Sequence, residues 1–176
     1  MSIFVEILNR IQEGRLIELA PALPNQPAIR RMVVAHEIAD IVHGPWEDSD
    51  WAIRCNYLRA DIDRFITGSR IPVSGGRYGG DSDFKQLVPS RDEIWELRSR
   101  SHDPGLRVFG RFAAFDVFVA LSWQKRSDLG GPKSRSWRDA KVHCATDWKN
   151  LFPAYDPIHE NAAADFRAYV SNYFLV

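Results

Sequence analysis

Residues 93–123 read EIWELRSRSHDPGLRVFGRFAAFDVFVALSW. Three runs rich in β-branched, aromatic and leucine side chains, at 93–99, 106–112 and 116–123, are separated by a six-residue turn and a three-residue one. That spacing predicts an antiparallel meander. Successive strand residues point to opposite faces, so counting by twos puts Trp95, Leu97, Leu106, Val108 and Phe112, then Val117, Val119 and Leu121, on one apolar face. Glu96, Arg98, Arg107, Phe109 and Arg111, then Phe118 and Ser122, fall on the other. The expectation is a sheet with one buried face and an open face that carries arginines.

Upstream, Ile3, Phe4, Ile7, Leu8 and Ile11 have the one-face spacing of an amphipathic helix, and Gly14 is its stop. The prolines of PALPNQP at 21–27 deny helix continuation and mark a connector. A second helix is expected over 26–42, although Val33 and Val34 can equally begin a strand. Asp48, Ser49 or Asp50 can cap a third helix that ends before Gly68. The segment IPVSGGRYGGDSD at 71–83 has four glycines between Gly75 and Gly80 but lacks the Gly-Lys-Ser/Thr ending of a phosphate-cradling loop, so it reads as a connector. Downstream of the meander, short helical turns are expected at 137–144 and 148–152, and the apolar tail should dock on the body. The predicted fold is α+β: N-terminal helices over 1–68, a Gly-rich connector over 69–90, and a three- to four-stranded antiparallel sheet with a short helical C-terminal cap over 91–176, in one compact domain.

The chain has 176 residues, 45% hydrophobic and 26% charged. A chain of this size buries roughly 70% of its unfolded surface, so neither a disulfide nor a metal is needed to hold its core. Disorder, collagen and a disulfide-stapled miniprotein are excluded by the same figures. Cys55 and Cys144 stand alone and read as buried small hydrophobes in a reducing compartment. The first residues, MSIFVEILNRIQEGR, lack a basic region followed by an apolar run, and nothing approaches the ~18 apolar residues of a spanning helix. A cytoplasmic protein without a membrane partner is expected. Its 23 basic and 23 acidic groups cancel, but not evenly: residues 91–141 carry 11 basic and 7 acidic groups, while both flanks have an acidic excess of two. A whole-surface nucleic-acid adhesive is excluded, whereas a local basic patch is not.

The candidate for chemistry is therefore the arginine face, Arg98, Arg107 and Arg111, with Lys125 and Arg126 just past the last run. Guanidiniums suit phosphates held by forked hydrogen bonds, and Phe109 or Phe118 among them suits stacked bases. An ordinary solvated face, with Glu96 and Asp116 pairing the arginines, is the competing reading. A second constellation, His36, Asp40 and His43 with Glu47 nearby, has helical spacing for a metal. One helix face normally needs a ligand from elsewhere, and Asp40 stands where a zinc-protease motif has its second histidine. No metal and no cofactor is therefore expected. The six tryptophans are spread over every segment and read as core.

The stretches IWELRS at 94–99, LRVFGRF at 106–112 and DVFVAL at 116–121, followed by Lys125-Arg126, resemble the core of RelE/ParE-type toxins, nearest their HigB-like branch. The resemblance covers residues 50–126. It implies a bacterial type II toxin that cleaves mRNA on the ribosome without a metal, with RNA or the ribosome, an antitoxin and a second copy of the chain as partners. It also implies functional roles for Arg98, Arg107 and Lys125 or Arg126, to which the spacing of the arginine face adds Arg111. His102, His143 or Tyr155 could supply proton transfer, and His102 is the one placed with the arginines. The ParE branch instead implies a non-catalytic gyrase inhibitor, and a phage- or mobile-element-borne interaction module is the alternative of that class. Arg31 and His36 also spell the Arg-x4-His element that resembles HEPN ribonucleases.

Overall fold

The computed structural model describes residues 2–76, 80–159 and 165–176. In chain order the elements are helix α1 (Ile3–Gln12), strands β1 (Ile17–Leu19) and β2 (Arg31–Val34), and helices α2 (His36–His43) and α3 (Ser49–Ile66). Strands β3 (Ile71–Gly75), β4 (Phe84–Gln86), β5 (Trp95–Ser99), β6 (Leu106–Ala114) and β7 (Val117–Lys125) follow, then helices α4 (Arg126–Leu129) and α5 (Arg135–Leu151) and strand β8 (Tyr173–Leu175). Local chemistry sets the starts of the two longest helices, α3 and α5. The Asp48 carboxylate accepts hydrogen bonds from the Asp50 and Trp51 amides at the head of α3, and the Ser134 hydroxyl accepts from the Trp137 amide at the head of α5.

All eight strands form one mixed sheet in the order β1-β2-β7-β6-β5-β4-β3-β8. The central β5, β6 and β7 are consecutive antiparallel neighbours. Parallel pairing extends them: β2 lies along β7, and β3 lies between β4 and β8. This overturns the expected three- to four-stranded antiparallel sheet with separate helical ends. The missed strands β1, β3, β4 and β8 are three to five residues long, too short to show a period, and β2 is expected only as the alternative to a helix at Val33 and Val34. Thus Arg31–Val34 opens the segment expected as one helix over 26–42, and helix begins only at His36. The expected connector over 69–90 carries β3 and β4; of its glycine run, residues 77–79 lie outside the described residues. The two expected C-terminal helical turns are one 17-residue helix, α5.

Both sheet faces are covered. On one face α2, α3 and residues 166–170 pack over Trp95, Leu97, Val108, Phe112 and Phe118. On the other, α1, α4 and α5 pack over Phe109, Val117, Val119 and Leu121. From Val117 to Leu121, β7 is therefore turned over relative to the expectation, with Phe118 beside Phe112 and its valines on the arginine side, whereas Ser122 lies opposite Phe109 as expected. The cause is a register shift beside the turn: Ala114 pairs with Val117 but Phe112 pairs with Phe118, so Ala113 is an extra residue in β6 and the parity changes by one. Because both faces are buried, alternation of apolar and polar residues could not report the slip.

A buried arginine closes the molecule. Arg30, 1% exposed, donates to the carbonyl oxygens of Phe65, Ser69 and Ser171 and lies 3.5 Å from the Asp116 carboxylate. It ties the end of α3, the β6–β7 turn and the tail into one junction.

Candidate functional site

The arginine-bearing face is built by register. Lys85 on β4 lies across from Glu96 on β5, and Arg98 on β5 lies across from Arg107 on β6. Glu96 stands between the two guanidiniums, 3.4 Å from Arg107 Nε and 3.6 Å from Arg98 Nε. Glu96 and Arg107 are buried, which corrects the expectation of an open face at that position. Burial pushes the Glu96 carboxyl above the usual range, against the lowering pull of Arg107, Arg98, Lys85 and Arg126. Burial also lowers Arg107 to about 10, opposed by Glu96, so the guanidinium stays charged at neutral pH. Lys85 is lowered for the same first reason, its own burial.

Four cations thus share one carboxylate. The outer cations are held by neutral acceptors: Arg98 donates to the Gly80 carbonyl and the Ser82 hydroxyl, and Arg126 donates to the Gly130 carbonyl. A carbonyl orients a guanidinium without cancelling its charge. Helix α5 packs on β6 and β7, so it lies beside this cluster, over Phe109 through Trp137.

Along the same face, two residues per step, Ile94 precedes Glu96 and Arg111 follows Phe109. There a cleft of about 850 Å³ opens between α5, the start of β5 and residues 156–159, with Arg91, Arg111, Arg138, Lys141, Glu93 and His159 among its lining. Arg111 donates to the Asp92 carbonyl and lies over the Trp148 ring at 5.9 Å. The Cys144 thiol, buried beside Arg111, is pushed up to about 12 by burial, which makes it an inert core group.

Of the residues singled out from sequence, Arg98, Arg107 and Arg126 come together around Glu96, and Arg111 lies further along the same face in the cleft. Lys125 and His102 do not join them. Lys125 Nζ sits 5.2 Å over the Trp51 ring, and His102 Nε2 is 2.7 Å from Asp50 Oδ1, both against α3 on the opposite face. His143 pairs with Asp147 on α5, and the Tyr155 carbonyl accepts from the Trp148 indole. Arg31 is held by both oxygens of Glu18, and His36 hydrogen-bonds the Gly14 carbonyl, so the Arg-x4-His element is engaged in local structure. Among the described residues no group of three or more His, Cys, Asp or Glu is placed to hold a metal ion, and no helix is long and apolar enough to cross a membrane.

Sequence reasoning missed Glu93 and His159, which form a hydrogen-bonded pair, and the α5 cations Arg138 and Lys141. Helical spacing of Arg138 and Lys141 at i and i+3 was the available signal for the second pair; nothing local relates Glu93 to a histidine 66 positions away. No protein-family model, curated protein or solved structure matches the chain.

Proposed function

We propose that the protein is a cytoplasmic RNA-directed toxin of a toxin–antitoxin pair, whose sheet-face cations hold RNA phosphates at the ribosome. The observation that carries the reading is the cluster of Lys85, Arg98, Arg107 and Arg126 around the single carboxylate of Glu96, with Arg98 and Arg126 oriented by neutral acceptors. Of these, Lys85, Arg98 and Arg126 are only partly buried and present donors to an anion of fork-compatible geometry, while Arg107 adds its charge from beneath. In metal-free cleavage the RNA 2′-oxygen loses its proton and attacks the adjacent phosphorus. The 5′-oxygen leaves and takes up a proton, and a 2′,3′-cyclic phosphate remains. Arginines contribute by stabilising the charge on the crowded phosphate.

The test is induced expression in a bacterial host with matched soluble protein levels. The variant is Arg98→Ala/Arg126→Ala, because removing the buried Arg107 would strand Glu96 and cost about 3 kcal/mol or more of stability. Growth arrest with cleaved transcripts in the wild type, lost in the double variant, is expected. The RNA affinity of the variant should also depend less on salt, by about 0.7 in the log–log slope for each phosphate that is no longer neutralised. A harmless wild type, or a folded variant with full toxicity, overturns the reading.

A second reading, a non-catalytic interaction module, draws on α1, where Phe4, Val5 and Leu8 are each more than two-fifths exposed. Growth arrest with intact transcripts, abolished by Phe4→Ser/Leu8→Ser, is its signature.

A further inference from the structure

Among the described residues, four cations line the cleft beside α5 and outnumber its free carboxylates. Arg111 and Lys141 donate to the backbone carbonyls of Asp92 and Val88, at 2.8 and 2.9 Å, which orients both without neutralising either. Arg138 reaches the same space from α5, and Arg91 reaches it from the turn before β5, 3.9 Å from the Asp92 carboxylate. Asp92, Glu93 and Asp156 are the carboxylates of the lining among the described residues. Glu93 is committed inward: its two oxygens accept from Gln86 Nε2 at 3.0 Å, Tyr169 OH at 2.9 Å and His159 Nδ1 at 2.8 Å.

Its backbone has φ 49°, the left-handed region that a non-glycine residue occupies only where its surroundings impose it, and such positions concentrate at ligand sites. The hydrogen bond from Nδ1 to Glu93 fixes the orientation of the His159 imidazole on the cleft wall. Ile94, Val142 and Pro157 supply an apolar side, and the volume falls within the range of small-molecule sites.

We infer that this cleft binds a phosphate-bearing nucleotide, with the phosphate among Arg111, Arg138 and Lys141 and the nucleoside against Ile94, Val142 and Pro157. The inference rests on the RNA reading only in taking that nucleotide to be part of a longer strand. The chain runs from Ile94 in the cleft to Arg98 in the cation cluster, a path of about 13 Å, so one strand of RNA can engage both.

The probe is adenosine 5′-monophosphate, titrated calorimetrically into the full chain at low salt, with inorganic phosphate as a separate titrant. Binding of the nucleotide is expected, weakened at least about tenfold by Arg138→Ala/Lys141→Ala because two charge-assisted hydrogen bonds to the phosphate are removed, with thermal stability unchanged. His159→Asn should weaken it by a smaller factor, and Arg98→Ala/Arg126→Ala should leave it as in the wild type. No binding at millimolar nucleotide, or undiminished binding by the α5 variant, overturns the inference. Inorganic phosphate binding as tightly as the nucleotide overturns the nucleoside half of it. The two proposals fail separately: toxicity that survives the sheet variant while nucleotide binding is intact removes the toxin reading alone, and toxicity lost in the sheet variant while the α5 variant binds nucleotide normally removes the cleft alone.

Discussion

A carboxyl wedged between two guanidiniums would ordinarily be held ionised, yet at Glu96 burial outweighs the cations and raises its proton affinity. The folded chain therefore binds this proton more readily than the unfolded chain does. The stability so contributed is complete below the ordinary glutamate value of about 4.3 and is lost as pH rises through the folded value. Glu96→Gln removes that dependence. Chemical denaturation of both proteins between about pH 4 and 7 should show the stability difference moving in favour of the variant as pH rises. A difference that stays flat would mean that Glu96 ionises as it would in water. From sequence, Glu96 was legible as a neighbour of the arginines, because strand alternation is local. Its burial was not, because that depends on what covers the face.

At the scale of elements, the strand that most limits variation is β6. A Cβ added at Gly110 would meet the Val119 carbonyl oxygen and the Phe118 ring at 2.6 Å, where β7 slips its register between the partners of Phe109 and Gly110. Overpacking of this kind costs about 1–3 kcal/mol, so Gly110→Ala should lower the unfolding midpoint by several degrees without altering the sheet arginines. A thermal melt that matched the wild type would show that β7 yields. The three strands of the meander were readable because each spans five to nine residues with a clear period. The facing of β7 next to the turn was not, since a single extra residue in β6 between Phe112 and Ala114 shifts the register and inverts the side chains that follow it. Length explains the other misses too: three-residue β1, β4 and β8 exist because neighbours pair with them, and no periodicity of their own announces it.

For the whole molecule the junction at Arg30 decides whether the tail stays with the body. Its guanidinium is lowered in proton affinity by burial, with Asp116 opposing, and it serves the carbonyls of Phe65, Ser69 and Ser171. Arg30→Met removes the donor from those acceptors and should cost about 3 kcal/mol or more in urea unfolding. Protease cleavage should then concentrate near the C terminus, where β8 is held to β3. A loss below about 1 kcal/mol would mean that the junction is carried by packing alone. The sequence by itself determined what short-range chemistry can determine: a globular composition, a capped start of α3 within 48–50, the three strands of the meander, and the placing of Arg98, Arg107 and Arg111 on one side of it. Only the tertiary structure decided that this side is roofed by α5 with a cleft at its edge, that parallel strands from both ends of the chain complete the sheet, and that Glu93 meets His159. Those outcomes depend on contacts between residues far apart in the chain, which no local period or cap encodes.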